Sequence, residues 1–253
     1  MTKRILVLGA TGLFGKPAAQ QLKADGFDVR IMARNVEKAK ALFTHGFEIV
    51  EGNVTDLDAL EKAMRDCYGV HISVGGPADQ ASAENVAALA PILGIQHITY
   101  ISGATVKEEN GWFPMVAQKL AAEKAIKECG VDFTIFCPTW PMTQIARFTR
   151  DGNPFMIGKQ ALPVHFFAEQ DFARVISQAY QKEEARNQRF YVYGPEAMTM
   201  TEGILRYCKV KYPEIKKVSS MPVWLAKVIA TLTKNDAMKF AANLMGYFDK
   251  TPE

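Results

Sequence analysis

The sequence predicts an α/β chain built on a doubly wound parallel sheet, followed by a smaller C-terminal α+β lobe. Two observations carry this. The apolar run Ile5-Leu6-Val7-Leu8 enters a glycine turn that opens a helix-patterned stretch, and short apolar segments then alternate with helical ones as far as residue 137. In order, Phe27–Ala33 reads as the second strand, a helix over 36–45 ends near Gly46, and Phe47–Glu51 is the third strand. Thr55 caps the next helix, with Asp56 and Asp58 favouring its positive end. Strand four is Val70–Val74, closed by Gly75-Gly76-Pro77; a helix over 79–93 leads to strand five, His97–Ile101. A long helix over 113–129 ends at Gly130, and Val131–Cys137 is strand six. Past Pro138 the rhythm breaks into strand-like pieces at 161–167, 188–193 and 215–220, with helices at 169–182, 200–211, 222–233 and 236–248. The expected division is therefore a first domain over 1–140 and a lobe over 141–253 packed on it as one structural unit.

The turn itself, Gly9-Ala10-Thr11-Gly12-Leu13-Phe14-Gly15, has the spacing of a dinucleotide-binding entrance. The first glycine permits the sharp turn, Gly12 lets the backbone approach a pyrophosphate, and Gly15 lets helix and strand pack closely, while the helix N-terminus offers N–H groups to the phosphates. The second strand ends in Arg34 where an acidic residue would bond the ribose hydroxyls. A guanidinium there attracts a 2′-phosphate, so the sequence favours NADP(H) over NAD(H). The bland alternative is a solvated cation opening a loop, and Lys38 is either its helper or a surface lysine. A strand, turn and helix of this kind open a Rossmann-type sheet, whose ligand lies beyond the carboxyl ends of the strands.

Composition narrows the function classes. At 253 residues the chain can bury roughly 70–75% of its unfolded surface, and a net charge of +3 without a basic stripe interleaved with aromatics argues against nucleic acid. The lysines and arginines that outnumber acids after residue 201 read as a solvated face. Cys67, Cys129, Cys137 and Cys208 are dispersed, as are the four histidines, so no metal site is expected and a reducing cytoplasm is. Lys3-Arg4 before an apolar run imitates a signal peptide, but the glycine turn interrupts it, and the richest apolar stretch, 86–101, holds Pro91, Gly94, Gln96 and His97 and is no membrane span. A small-molecule substrate is expected, with a protein partner or a homo-oligomer left open.

Taken together, Gly9–Gly15, Ile31-Met32-Ala33-Arg34, Gly52-Asn53-Val54, Tyr100-Ile101-Ser102-Gly103 and the segment from Lys119 to Cys137-Pro138-Thr139 resemble the atypical short-chain dehydrogenase/reductases, particularly the NmrA-like group. Members of that group often run further than Glu253. The resemblance implies that Asn53 and Val54 border the adenine, that Val74, Gly75 and Gly76 line the path from pyrophosphate to ribose, and that Pro138, Thr139, Trp140 and Pro141 wall the nicotinamide. Asn53 reads equally as a turn residue after a strand, and a plain βα turn needs the same glycines.

Related reductases place a tyrosine four residues before a lysine on a helix. Here Lys119 aligns with that lysine, but Met115 stands at the tyrosine position, and a thioether is no acid. Lys119 and Ser102 are the remaining catalytic candidates. Lys119 also belongs to an i, i+4 stripe with Glu123 and Lys127 that reads equally as a solvated face, and Ser102 as a turn or cap residue. Without an acid, an electron-poor quinone- or enone-like acceptor is favoured over a simple ketone, because its reduced form is a delocalised anion that water can protonate. Trp224, Leu225, Val228, Met238, Phe240, Leu244, Met245 and Phe248 either line an apolar cleft for it or form core. The competing class is a non-catalytic NADP(H) sensor acting through a protein partner; a sugar-nucleotide epimerase normally needs the missing tyrosine.

Overall fold

The computed structural model of the chain describes residues 2–150 and 152–253. The chain runs β1 (Arg4–Leu8), α1 (Gly15–Ala24), β2 (Asp28–Ala33), α2 (Val36–Leu42), β3 (Phe47–Glu51), α3 (Leu57–Met64), β4 (Gly69–Ile72), α4 (Asp79–Leu89), β5 (His97–Ile101), α5 (Pro114–Glu128) and β6 (Asp132–Pro138). Four short strands follow, β7 (Trp140–Pro141), β8 (Thr149–Arg150), β9 (Asn153–Ile157) and β10 (Val164–Phe167), then α6 (Glu169–Ala179) and β11 (Gln188–Val192). The chain ends with β12 (Ala197–Met198), α7 (Met200–Lys211), β13 (Ser219–Met221), α8 (Val223–Leu232) and α9 (Asp236–Phe248).

Two compact units emerge: residues through Pro138 with Glu169–Val192, and Thr139–Ala168 with Tyr193–Glu253. The first holds a seven-stranded sheet in the order β11-β6-β5-β4-β1-β2-β3, parallel throughout. A strand covered on both faces has no solvated side, which is why β1 is an unbroken apolar run. Its alternate residues serve opposite cores: Leu6 and Leu8 pack with Leu60, Val86 and Ile126, whereas Ile5 and Val7 pack with Ala19 and Leu22 of α1. Strand order reverses between β1 and β4, and both strands end on the same edge.

Local patterning ends the parallel sheet at the sixth strand and assigns 169–182 and 188–193 to the C-terminal lobe. Instead α6 buries Phe172, Ala173 and Ile176, with Phe172 edge-on to Phe14 and Phe136, and β11 pairs in parallel with β6 from Gln188–Thr134 to Val192–Pro138. The outer edge of β6 has backbone groups that need partners, but nothing local tells which later strand supplies them. The second unit holds two three-stranded sheets, β12-β10-β7 and β13-β9-β8; β9, opening with Asn153-Pro154, was not anticipated. No helix among the described residues is long and apolar enough to cross a membrane.

Polar groups inside the first unit are satisfied across strands. His97 Nε2 lies 2.8 Å from Thr134 Oγ1, which donates to the Ala185 carbonyl at 2.7 Å, and His71 Nδ1 lies 2.7 Å from Thr99 Oγ1. Burial pushes His71 down to about 3 and His97 down to about 4, the Arg186 cation adding to the latter. Both rings are neutral in the fold at pH 7, while an unfolded histidine takes up a proton near pH 6.5. Stability is therefore complete above pH 6.5 and falls as the pH drops towards 4, by about 1.4 kcal/mol per pH unit for each ring. Denaturant unfolding at pH 7 and pH 5.5 is expected to differ by about 2–3 kcal/mol, and His97→Gln is expected to halve that difference; an unchanged pH slope in the variant contradicts the assignment.

Candidate functional site

The glycine turn sits where β1 and β4 diverge. Gly9 has φ of 77°, and a Cβ on it would lie 2.3 Å from the Ser73 carbonyl oxygen, so the segments following β1 and β4 meet backbone to backbone. A Cβ on Gly15 would lie 2.3 Å from the Gly9 carbonyl oxygen. Gly15 thus closes the turn on itself, a tighter role than the helix–strand packing expected of it. Gly12 donates its N–H to the Gly9 carbonyl at 2.9 Å and stays exposed, and Thr11 and Leu13 are half-buried beside it. The ring of Phe14 faces inward, edge-on to Phe172 at 5.6 Å. No side chain caps α1, whereas α2, α3, α7 and α9 are capped by Asn35, Asp56, Thr199 and Asn235. An uncapped first turn leaves backbone donors and the positive dipole end at the carboxyl edge of the sheet.

Arg34 directly follows β2. Its side chain is exposed and pairs with no described residue. Asn53, after β3, is committed to a turn: its Oδ1 accepts from the Thr55 N–H at 3.3 Å and its carbonyl from the Asp56 N–H at 2.9 Å. Asp56, not Thr55, caps the following helix, accepting from the Ala59 N–H at 3.1 Å. The Val54 carbonyl accepts from Asn85 Nδ2 at 2.9 Å. Val74 is half-buried at the end of β4, and a Cβ on Gly75 or Gly76 would meet nothing within 4 Å.

The stripe of Lys119, Glu123 and Lys127 is divided between two buried networks. Lys119 Nζ lies 2.7 Å from Asp79 Oδ2, donates to the Ile101 carbonyl at 2.9 Å and lies 3.4 Å from the Tyr100 hydroxyl. Tyr100, fully buried, donates its proton to Asp79 Oδ1 at 2.9 Å, and burial followed by the Asp79 charge drives its phenol far above the ordinary value. One turn on, Glu123 is 2% exposed. It accepts from Ser102 Oγ at 2.5 Å and pairs with Arg189 at 3.1 Å and Lys127 at 3.0 Å. Burial pushes the Glu123 carboxyl up, but the Ser102 hydroxyl, Lys127 and Arg189 outweigh it and hold the group below its usual range. The solvated-face reading therefore fails for Glu123 and survives for Lys127 alone. Asp79 was not singled out in the sequence; its placement two residues after Gly75-Gly76-Pro77, at the start of a helix, is the available signal.

Pro138 ends β6, its carbonyl accepting from the Ala104 N–H at 3.0 Å. Thr139 opens the second unit, its hydroxyl donating to the His165 carbonyl, and the Trp140 ring lies 5.0 Å from that of Phe248 and 6.4 Å from that of Phe148. Within this unit a pocket of about 370 Å³ has Trp140, Phe148, Met156, Phe240, Leu244 and Met245 among its walls. Of the C-terminal residues expected around an apolar cleft, Phe240, Leu244 and Met245 are there, while Trp224 is 67% exposed to solvent.

A family model described as NAD(P)H-binding matches residues 9–183. Over 209 residues, 81% of this chain and 73% of the relative, the sequence is 30% identical to the (4-alkanoyl-5-oxo-2,5-dihydrofuran-3-yl)methyl phosphate reductase of Streptomyces griseus. Among solved structures, the Citrobacter sp. triphenylmethane reductase complexed with NADP(H) superposes with a TM-score of 0.80 at 21% identity, covering 98% of this chain and 90% of the other. The NADPH-dependent quinone oxidoreductase QOR2 of Escherichia coli, complexed with NADPH, gives 0.80 at 18% identity, covering 97% and 89%. The fold is thus shared with these NADP(H)-complexed reductases, and the family match begins at the glycine turn itself: the chain belongs to the NAD(P)H-binding family.

Proposed function

We propose that this protein is an NADP(H)-dependent reductase that transfers hydride to a small, apolar, conjugated acceptor of quinone or enone type. Arg34 carries the reading: it is an exposed guanidinium without a partner among the described residues, placed at the end of the strand beside the glycine turn. The residues present suit the cofactor. The uncapped start of α1 and the exposed Gly12 offer backbone donors to a pyrophosphate, and the open space beside Gly75 and Gly76 leaves room at the end of β4. Asn53 and Val54 would lie along the adenine side, Val74 along the ribose path and Pro138, Thr139 and Trp140 towards the nicotinamide, with the second unit as the substrate-side lobe. Free thiols at Cys67, Cys129, Cys137 and Cys208 fit a cytoplasmic setting.

When bound, the reduced nicotinamide supplies a hydride, leaving the acceptor as a delocalised anion. Lys119, ion-paired to Asp79 at 2.7 Å, brings a fixed positive charge to the carboxyl end of β5, where it favours that anion, and water supplies the proton. Tyr100 cannot be the acid, since it is fully buried and its proton is held by Asp79. Ser102 acts from behind, its proton committed to Glu123. The second reading, a sensor that passes NADP(H) occupancy to a protein partner, is favoured by one observation: Lys119 Nζ already contacts three protein groups. Anaerobic incubation with NADPH and a panel of quinones, enones and aldehydes separates the two, because a sensor binds NADPH and oxidises none.

Arg34→Ala is expected to remove a preference for NADPH over NADH of at least about tenfold, about 1.4 kcal/mol, while leaving NADH affinity nearly unchanged. Equal affinities of the parent protein for the two cofactors contradict the assignment. For Lys119, truncation alone is ambiguous, because it strands the buried Asp79 carboxylate at a cost of about 3–5 kcal/mol. Lys119→Met is therefore compared with Asp79→Asn/Lys119→Met in single-turnover NADPH oxidation. If Lys119 serves the anion, both variants lose about 100-fold in rate. A double variant that regains both stability and rate reduces Lys119 to a scaffold residue.

A further inference from the structure

Among arginines whose side chains the structure describes, Arg4, Arg30, Arg65, Arg174, Arg186, Arg189 and Arg206 each pair with a carboxylate. Arg34 and Arg147 do not. Arg34 is assigned to a 2′-phosphate in the reading proposed above. Arg147 stands in the second unit, on the 3-10 helix Met142–Phe148, where it lines the pocket of about 370 Å³. That volume is ample for a ring system of two or three fused rings. Phe155 and Phe240 on the same pocket stay 42% and 62% exposed, apolar area that folding has left uncovered. Trp140, Phe148 and the flexible thioether of Met156 are all among its walls, side chains that pack well against flat π systems. No acidic side chain lines the pocket among the described residues, so nothing there neutralises Arg147.

We infer that this pocket binds a flat aromatic ligand carrying one anionic group, a carboxylate or sulfonate, with the ring held between the aromatic walls and the anion paired to Arg147. A planar guanidinium meets either anion through two parallel N–H bonds, which a neutral substituent cannot accept with equal strength. Gln144, another lining residue without a described partner, adds a donor beside it. The ligand's role as hydride acceptor rests on the reductase reading above; its binding does not.

The test is calorimetric titration of the full chain, without cofactor, using naphthalene-2-sulfonate and the neutral naphthalen-2-ylmethanol. The sulfonate is expected to bind at least about tenfold more tightly. Arg147→Gln is expected to bring it to the level of the alcohol, whose own affinity stays within about twofold, and Arg147→Lys to retain part of the preference. Phe240→Ala is expected to weaken both ligands; since Phe240 is exposed, the fold survives the truncation. Equal affinities in the parent protein, a sulfonate preference that persists in Arg147→Gln, or indifference of both ligands to Phe240→Ala each overturn the proposal. Turnover is then followed with NADPH and 1,4-naphthoquinone-2-sulfonate, where Arg147→Gln raises KM about tenfold and leaves kcat in place. Sulfonate binding without NADPH oxidation upholds the pocket and removes the reductase reading.

Discussion

The approach of Gly9 to Ser73 is the constraint on which the first unit is organised. A side chain at residue 9 would occupy the position of the Ser73 carbonyl, so the segments leaving β1 and β4 sit against each other as bare backbone. From there the chain on one side turns into α1, uncapped, and on the other passes through Gly75 and Gly76 into α4. Strand order reverses at this same point, which leaves a crevice with helix N-termini on it. Gly15 completes the arrangement, since the turn folds back on its own carbonyl too closely for a Cβ. The glycines are therefore required by the polypeptide itself as well as suited to a dinucleotide.

The adjoining region depends on buried charge. Asp79, Lys119 and Tyr100 join α4, α5 and β5, and Glu123, Ser102 and Arg189 join α5, β5 and β11. Buried ion pairs contribute little net stability against an apolar alternative of the same shape, because desolvation offsets the Coulomb attraction. Their consequence is geometric. Losing one partner strands the other, so the register of α5 on the sheet is specified at two successive turns, and Lys119 is oriented before any ligand arrives. The same networks remove Tyr100 and Ser102 from the choice of free proton donors.

Much of the candidate site is legible in the sequence because its signals are local. The glycine turn needs its residues within seven positions, and Arg34 is identified by where a single strand ends. The alternation of strands and helices through Pro138 likewise follows from patterns shorter than a dozen residues, as do the helices Met200–Lys211 and Asp236–Phe248, whose bounds match the structure. Thr55 and Asp56 are adjacent and both suit a helix cap; backbone geometry selects the second.

The sequence by itself determined the class of the fold, the glycine turn after β1 and the charge at the end of β2, since each is written in neighbouring residues and in periodicities of two or 3.6. Tertiary structure decided what distant residues do together. The i, i+4 spacing relates Lys119, Glu123 and Lys127 only along their own helix, whereas their partners Asp79, Ser102 and Arg189 lie 40, 21 and 66 positions away from the side chains they meet. The return of the chain as β11 was equally hidden, because backbone hydrogen bonding carries no residue-specific label that joins Gln188–Val192 to Thr134–Pro138. Which charges become buried and paired is a property of the packed sheet, where water is displaced and every ionised group must find its counterpart.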